Sequence, residues 1–226
     1  STGSSSVPEL GLELRAGRLR LVPEGAQRFA LDGGLRSGTG ELTLQGTAQP
    51  SGELDLKVEG RDFLAADRPG ARVVIAPAVD LKRSEGRIDV EGRILVPSAT
   101  IDLQRLPRGG AGARAASPDV VVIDDEPRLA KDAAALPLYA NVEVRLGEQV
   151  KLVRFGLDAT IAGSLQVTER PGAVTTGSGE IRVAGTYKAY GQDLTVRQGR
   201  LLYAGTPLDD PRLNAVSYTH LTLPTN

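Results

Sequence analysis

The chain has 226 residues and a net charge of -1, with 27 Lys and Arg against 28 Asp and Glu, so it lacks the basic excess of a nucleic-acid binder. With no Cys and a single His, it excludes disulfides, thiolate nucleophiles, cysteine metal sites and zinc sites built on several histidines. Aromatic residues are only 4% of the chain, so a core has to be filled by Leu, Val, Ile and Ala, while Gly (27) and Pro (14) predict frequent turns.

The first residue is Ser, and residues 1–6 carry no basic and apolar leader pattern. The chain therefore reads as a piece of a longer protein with an unstructured start. From there the dominant signal has period two. Leu12 and Leu14, then Leu19 and Leu21, repeat it around Ala16-Gly17, and Leu42 and Leu44 follow. Leu54, Leu56 and Val58 alternate with Asp55 and Lys57, and Ile88 and Val90 alternate with Asp89 and Glu91. The longest apolar run, Val73 to Val79, is broken by Pro77 and is far shorter than the roughly 20 residues of a membrane-spanning helix. Ile101 and Leu103 close the first half.

Residues 105–117 break the pattern with a Gly-, Ala- and Arg-rich stretch that predicts a loop. Residues 129–138 are the best helical candidate, limited by Pro137 to about two turns. The alternation then resumes. Val142, Val144 and Leu146 alternate with Glu143 and Arg145, followed by Leu165 and Val167, Ile181 and Val183, Leu194 and Val196, and Leu201 and Tyr203.

Successive side chains of a strand point to opposite sides, so each segment has one apolar and one charged face. Pairs such as Glu85-Gly86 and Gly38-Thr39-Gly40 supply the positive φ of tight hairpins. The reading is all-β: a long antiparallel meander, with a first part at 7–104, a loop at 105–117 and a second part at 118–215. An apolar face needs cover in water, either from a second sheet or by curling of its own sheet. The inward positions are Leu54, Leu56, Val58, Ile88, Val90, Val142, Val144, Leu146, Leu165, Val167, Ile181, Val183, Leu194 and Val196, with Phe29, Phe63 and Phe155 as the only large additions. Such a lining suits an acyl chain, and it equally suits the core of a purely structural β domain.

Other constellations lead to bland readings. His220 lies in 216–226, an uncharged tail that matches a translated sequencing adapter, which leaves no imidazole for catalysis. Asp124-Asp125-Glu126 and Asp209-Asp210 lack calcium-loop spacing and read as solvated turns. Gly109-Gly110-Ala111-Gly112 precedes no Lys-Ser or Lys-Thr pair, so it is no nucleotide loop. Arg outnumbers Lys 22 to 5, yet the arginines alternate with acids, as on a solvated face. Tyr187, Tyr190 and Tyr203 either close the core or, with Thr195 and Arg197, form an edge that faces a partner. No catalytic residue, cofactor or metal is expected.

The stretch from Tyr187 to Leu213, YKAYGQDLTVRQGRLLYAGTPLDDPRL, resembles the C-terminal signature of the TamB family. GRILVPSATIDLQRLP (Gly92 to Pro107), SPDVVVIDD (Ser117 to Asp125) and FGLDATIAGSLQVTERPG (Phe155 to Gly172) match in order and spacing. The resemblance covers nearly all of 7–215. It implies a non-enzymatic β domain curled into a trough, a β-taco-like groove with an apolar interior lined by the inward residues above. It further implies phospholipid acyl chains in that groove and an Omp85-type outer-membrane barrel (TamA-like) as partner. The setting implied is the periplasm of a Gram-negative-type bacterium, with an inner-membrane anchor outside this chain. Expected roles are phospholipid movement between the membranes and support of outer-membrane protein assembly. A strand-pairing scaffold without lipid conduction is the alternative. The sequence departs from the family in its tail after 215 and in the length of the 105–117 loop.

Overall fold

In a computed structural model, the structure describes residues 5–7, 12–25, 27–102, 104–105, 136–189 and 192–219. The chain forms thirteen strands: β1 (Ser5–Val7), β2 (Leu12–Pro23), β3 (Phe29–Ser37), β4 (Gly40–Ala48), β5 (Leu54–Arg61), β6 (Phe63–Arg68), β7 (Ala71–Ser84), β8 (Arg87–Asp102), β9 (Leu138–Arg154), β10 (Leu157–Glu169), β11 (Thr176–Ala189), β12 (Gln192–Pro207) and β13 (Arg212–Thr219). The predicted alternating segments fall on strands, except for Leu103, which lies outside the described residues. The loop at 106–117, the acidic run at 124–126, most of the helical candidate at 129–138, Tyr190 and His220 lie outside the described residues.

Tight hairpins set the register. Ser84 faces Arg87 across Glu85 (φ 51°) and Gly86 (φ 74°), and Arg154 faces Leu157 across Phe155 (φ 32°) and Gly156 (φ 83°). Positive φ at both central residues gives a turn whose twist matches that of the paired strands. Phe155 was expected to point inward; the turn instead leaves it 65% exposed, whereas Phe63 is buried.

All thirteen strands join one sheet in the order β1-β2-β3-β4-β5-β7-β8-β9-β10-β11-β12-β13, with β6 pairing β7 beside β5. Two features correct the expectation of an antiparallel meander curled into a trough. First, β8 and β9 pair in parallel, with Ile88 facing Leu138 and Ile101 facing Leu152. A tight turn reverses the chain, so a parallel neighbour needs a crossover that returns it to the start of the preceding strand. The connection 103–137 supplies that length. It splits the chain in sequence, while β8–β9 pairing joins the two parts in one sheet. Second, the sheet neither closes nor curls. β1 and β13 are its two ends, and contact between strands that are not neighbours concentrates where β6 meets β2, β3 and β4. Alternation fixes which side chains share a face of one strand; curvature depends on twist, bulges and covering layers, which alternation does not encode.

The register produces one aliphatic face. Residues paired across strands project to the same side. One row runs through Leu19, Gly33, Leu44, Val58, Val79, Gly92, Val142, Val167 and Gly177, crossing nine strands. The adjoining row runs through Leu31, Gly46, Leu56, Leu81, Val90 and Ala140. The opposite face is polar, as in the row Gln45, Lys57, Asp80, Glu91, Asn141 and Thr168. The apolar cluster gathers at the parallel joint. There Val96, Ala99 and Val150 gather Val73, Ile75, Ile94, Val144, Leu146 and Ile161 around them.

Candidate functional site

The apolar face is built by the strand rule alone: in β5 every second residue, Leu54, Leu56 and Val58, is half-buried, while Asp55, Lys57 and Glu59 are exposed. In β9 the equivalent residues are Val142, Val144 and Leu146, with Arg145 exposed between them. Pairing carries this face onward from Val144 to Leu165, Gly179 and Tyr203, and from Leu146 to Gly163, Ile181, Leu201 and Leu213. A further row contains Val150, Ile161, Val183 and Gly199, and a last one Leu152, Ala159, Gly185 and Val196. Ile88 and Val90 join the face through Leu138 and Ala140. The backbone of Leu194 pairs with that of Tyr187.

Thirteen of the fourteen expected inward positions therefore occupy one side of the sheet, and Leu194 is placed by its backbone pairing alone. Their exposure differs. Val142 and Ile181 are buried, while Leu54, Leu56, Val58, Ile88, Val90, Val144, Leu146, Leu165, Val167, Val183 and Val196 are half-exposed. Among the described residues every element belongs to the same sheet, so no second layer lies over this face.

The residues expected to form a partner edge have a different place. Tyr187 lies on β11, and Thr195, Arg197 and Tyr203 lie on β12. β12 sits between β11 and β13, with Thr195 opposite Thr186 on one side and Tyr218 on the other. Its backbone is thus paired on both sides, and the open edge at this end belongs to β13. β13 runs across position 215, with Ser217 and Thr219 paired to Val196 and Leu194. Tyr203 projects on the aliphatic face. Its hydroxyl donates to the Leu208 carbonyl at 3.3 Å, and burial raises its pKa.

The charged face is laced by ion pairs. Lys57 Nζ lies 2.8 Å from Glu59 Oε1, Arg145 2.9 Å from Glu143 and Lys82 3.7 Å from Asp55. The hydrogen bond between Lys57 and Glu59 raises the lysine pKa and lowers that of the glutamate. No cluster of three or more His, Cys, Asp or Glu able to hold a metal occurs among the described residues. No helix among them is long and apolar enough to cross a membrane.

Fold and face define a class: an extended, one-layered β domain with a broad aliphatic surface and a salt-bridged polar one. The chain belongs to the TamB C-terminal domain family, which matches residues 28–222 and so spans β3 through β13. A domain of this family is not an enzyme. The chain is similar to the translocation and assembly module subunit TamB of Haemophilus influenzae, with 23% identity over 202 residues, covering 83% of this chain. It spans 15% of the length of that relative.

Proposed function

We propose that this domain is a periplasmic part of a translocation and assembly module, and that its aliphatic face carries phospholipid acyl chains between the inner and outer membranes. One observation carries the reading: aliphatic rows that cross the parallel joint without a break and are half-exposed over most of their length, with no second layer over them among the described residues. The name of the Haemophilus influenzae relative supplies the system. Family membership supports an inner-membrane anchor outside this chain, an Omp85-type (TamA-like) outer-membrane barrel as partner, a Gram-negative-type cell, and a supporting role in outer-membrane protein assembly.

The physics is that of a surface and needs no catalyst or cofactor. Full burial of a methylene is worth about 0.8 kcal/mol. A chain of about sixteen carbons lying on an open face loses water on one side only, so it gains roughly 6 kcal/mol before ordering costs. The sheet satisfies its own backbone polar groups, which keeps the aliphatic face dry. Leu, Val and Ile along the rows present similar surfaces, so displacement along them changes the energy little.

The test is lipid crosslinking from a photoreactive residue placed at Val144, compared with one at Glu143. The expected result is labelling at Val144 well above that at Glu143; equal labelling at both contradicts the proposal. An unpaired charge at Val167 or Val183 costs several kcal/mol in contact with apolar neighbours and is expected to block transfer, while charge reversal at Arg182 is tolerated. Solvent extraction of the purified protein that recovers no phospholipid favours a purely structural domain.

A second reading is favoured by the open edge of β13, whose backbone pairs, among the described residues, only with β12. Unpaired strand edges accept an additional strand. A disulfide from Asn214→Cys to a cysteine in an Omp85-type barrel, with no lipid labelling at Val144, is the result that this scaffold reading predicts.

A further inference from the structure

The polar face follows a rule of opposite charges across neighbouring strands. Lys82 faces Asp55, Lys57 faces Asp80 and Arg36 faces Glu41. The rule fails where Asp80 faces Glu91, where Arg15 faces Arg36, and at one further pair that borders a depression. Arg182 of β11 is the direct partner of Arg200 of β12. Like charges opposite one another in a sheet repel, so this pairing is unfavourable without an anion between or beside them. Arg200 leans toward Glu180, at 3.9 Å. Arg182 makes no ion pair or side-chain hydrogen bond with another described residue.

The two arginines stand at a depression. On the other side of Arg182 the β10 partner is Ala162, and the neighbouring positions on this face include Thr160, Ser164 and Ala184. These short side chains leave a cavity of 890 Å³ whose walls include Arg145, Arg182 and Arg200. The Arg145 guanidinium is held by Glu143 at 2.9 Å, and Glu180 and Glu148 also border the space. A guanidinium has a planar fork of donors that fits the oxygens of a phosphate. Two such forks over a floor of small residues make an oxyanion seat.

We infer that this depression binds a phosphate group, with Arg182 and Arg200 as its ligands and Arg145 at its rim. The seat lies on the side of the sheet opposite the aliphatic face, so it is independent of acyl-chain binding. The phosphate comes either from a free anion or from the headgroup of an anionic lipid at a membrane surface.

The experiment titrates the chain with inorganic phosphate at constant ionic strength, following backbone amide shifts. In parallel, it measures binding to vesicles of phosphatidylglycerol and of phosphatidylcholine. The expected result is saturable phosphate binding with shifts centred on Ala162, Ala184 and Gly199, and about tenfold weaker binding for Arg182→Gln/Arg200→Gln. Arg36→Gln/Arg72→Gln, with the same change of net charge, is expected to bind as the parent does. If phosphatidylglycerol vesicles also bind and lose affinity in the first variant alone, the source is a headgroup; if only free phosphate does so, it is a soluble anion. Absence of saturation, shifts spread over the whole polar face, or equal affinity of the two variants overturns the inference. The shift map of the parent chain decides the matter even where a variant does not fold.

Discussion

The two regions of the sheet use the same alternation to different effect. At the centre, around the β8–β9 joint, Val150 and Ala159 are each 1% exposed; in the β2 flank, Leu19 and Leu21 on the same face are 64% and 54% exposed. Hydrophobic content does not explain the difference, since both are aliphatic rows. Strand length and neighbours do. β7 through β12 run for 13 to 17 residues, while β2 through β5 run for 8 to 12 and lie nearer an open end. The centre thus acts as a core within a single layer, and the flank acts as a surface.

The largest break in that comparison is expected from a buried charge. Val150→Asp places an uncompensated carboxyl in the central cluster and is expected to destabilise by roughly 3–5 kcal/mol. Leu21→Asp in the flank is expected to cost about 1 kcal/mol or less. Urea titration of the two variants measures the contrast, and equal losses would remove the distinction between core and surface.

Backbone substitutions give the next effect. Gly163 in β10 has φ +137°, and a Cβ there would lie 2.2 Å from the Glu180 carbonyl oxygen. Gly163→Ala is expected to cost about 2–4 kcal/mol, combining strain with displacement of β11. Gly34 in the flank has ordinary space, with its nearest contact at 3.7 Å from the Leu42 carbonyl oxygen. Gly34→Ala is expected to be neutral or stabilising by about 0.5 kcal/mol. Thermal denaturation of the pair reads both signs.

The smallest effect concerns the ion pair of the flank. The Glu59 pKa is lowered, first by the hydrogen bond from Lys57, so its contribution is present above the unfolded carboxylate value and is lost as pH falls through the lower, folded one. Lys57 is raised by the same bond, so its contribution is present below the unfolded lysine value and is lost as pH rises through the folded one. Glu59→Gln is therefore expected to lower the melting temperature slightly near neutral pH and not at all in acid. Both side chains are exposed, and salt is expected to screen the effect.

The sequence carried the local part of this architecture. Side-chain direction in a strand is set by its own residue spacing, so Leu54, Leu56 and Val58, and Val142, Val144 and Leu146, reveal their shared face without any knowledge of partners. What spacing does not encode is partner and direction. Nothing between Asp102 and Leu138 announces that the chain returns to run parallel to β8, because a crossover is defined by where it ends. The open shape was likewise out of reach, since each strand would alternate in the same way in a trough, a sandwich or an open sheet. The edge assignment of Thr195 and Arg197 followed from setting 216–226 apart, whereas Val216 to Thr219 continue β13 beside β12. The exposure of Phe155 is legible in the sequence, because Phe155-Gly156 has the same place between strands as Glu85-Gly86.

The central claim is that one aliphatic face runs unbroken from the flank across the parallel joint. Its most direct test is a photoreactive scan in lipid-containing membranes along 54–58 and 142–146. The account predicts lipid labelling at Leu54, Leu56, Val58, Val142, Val144 and Leu146, with little at Asp55, Lys57, Glu143 and Arg145. Labelling without period two, or in opposite phase in the two strands, would contradict it.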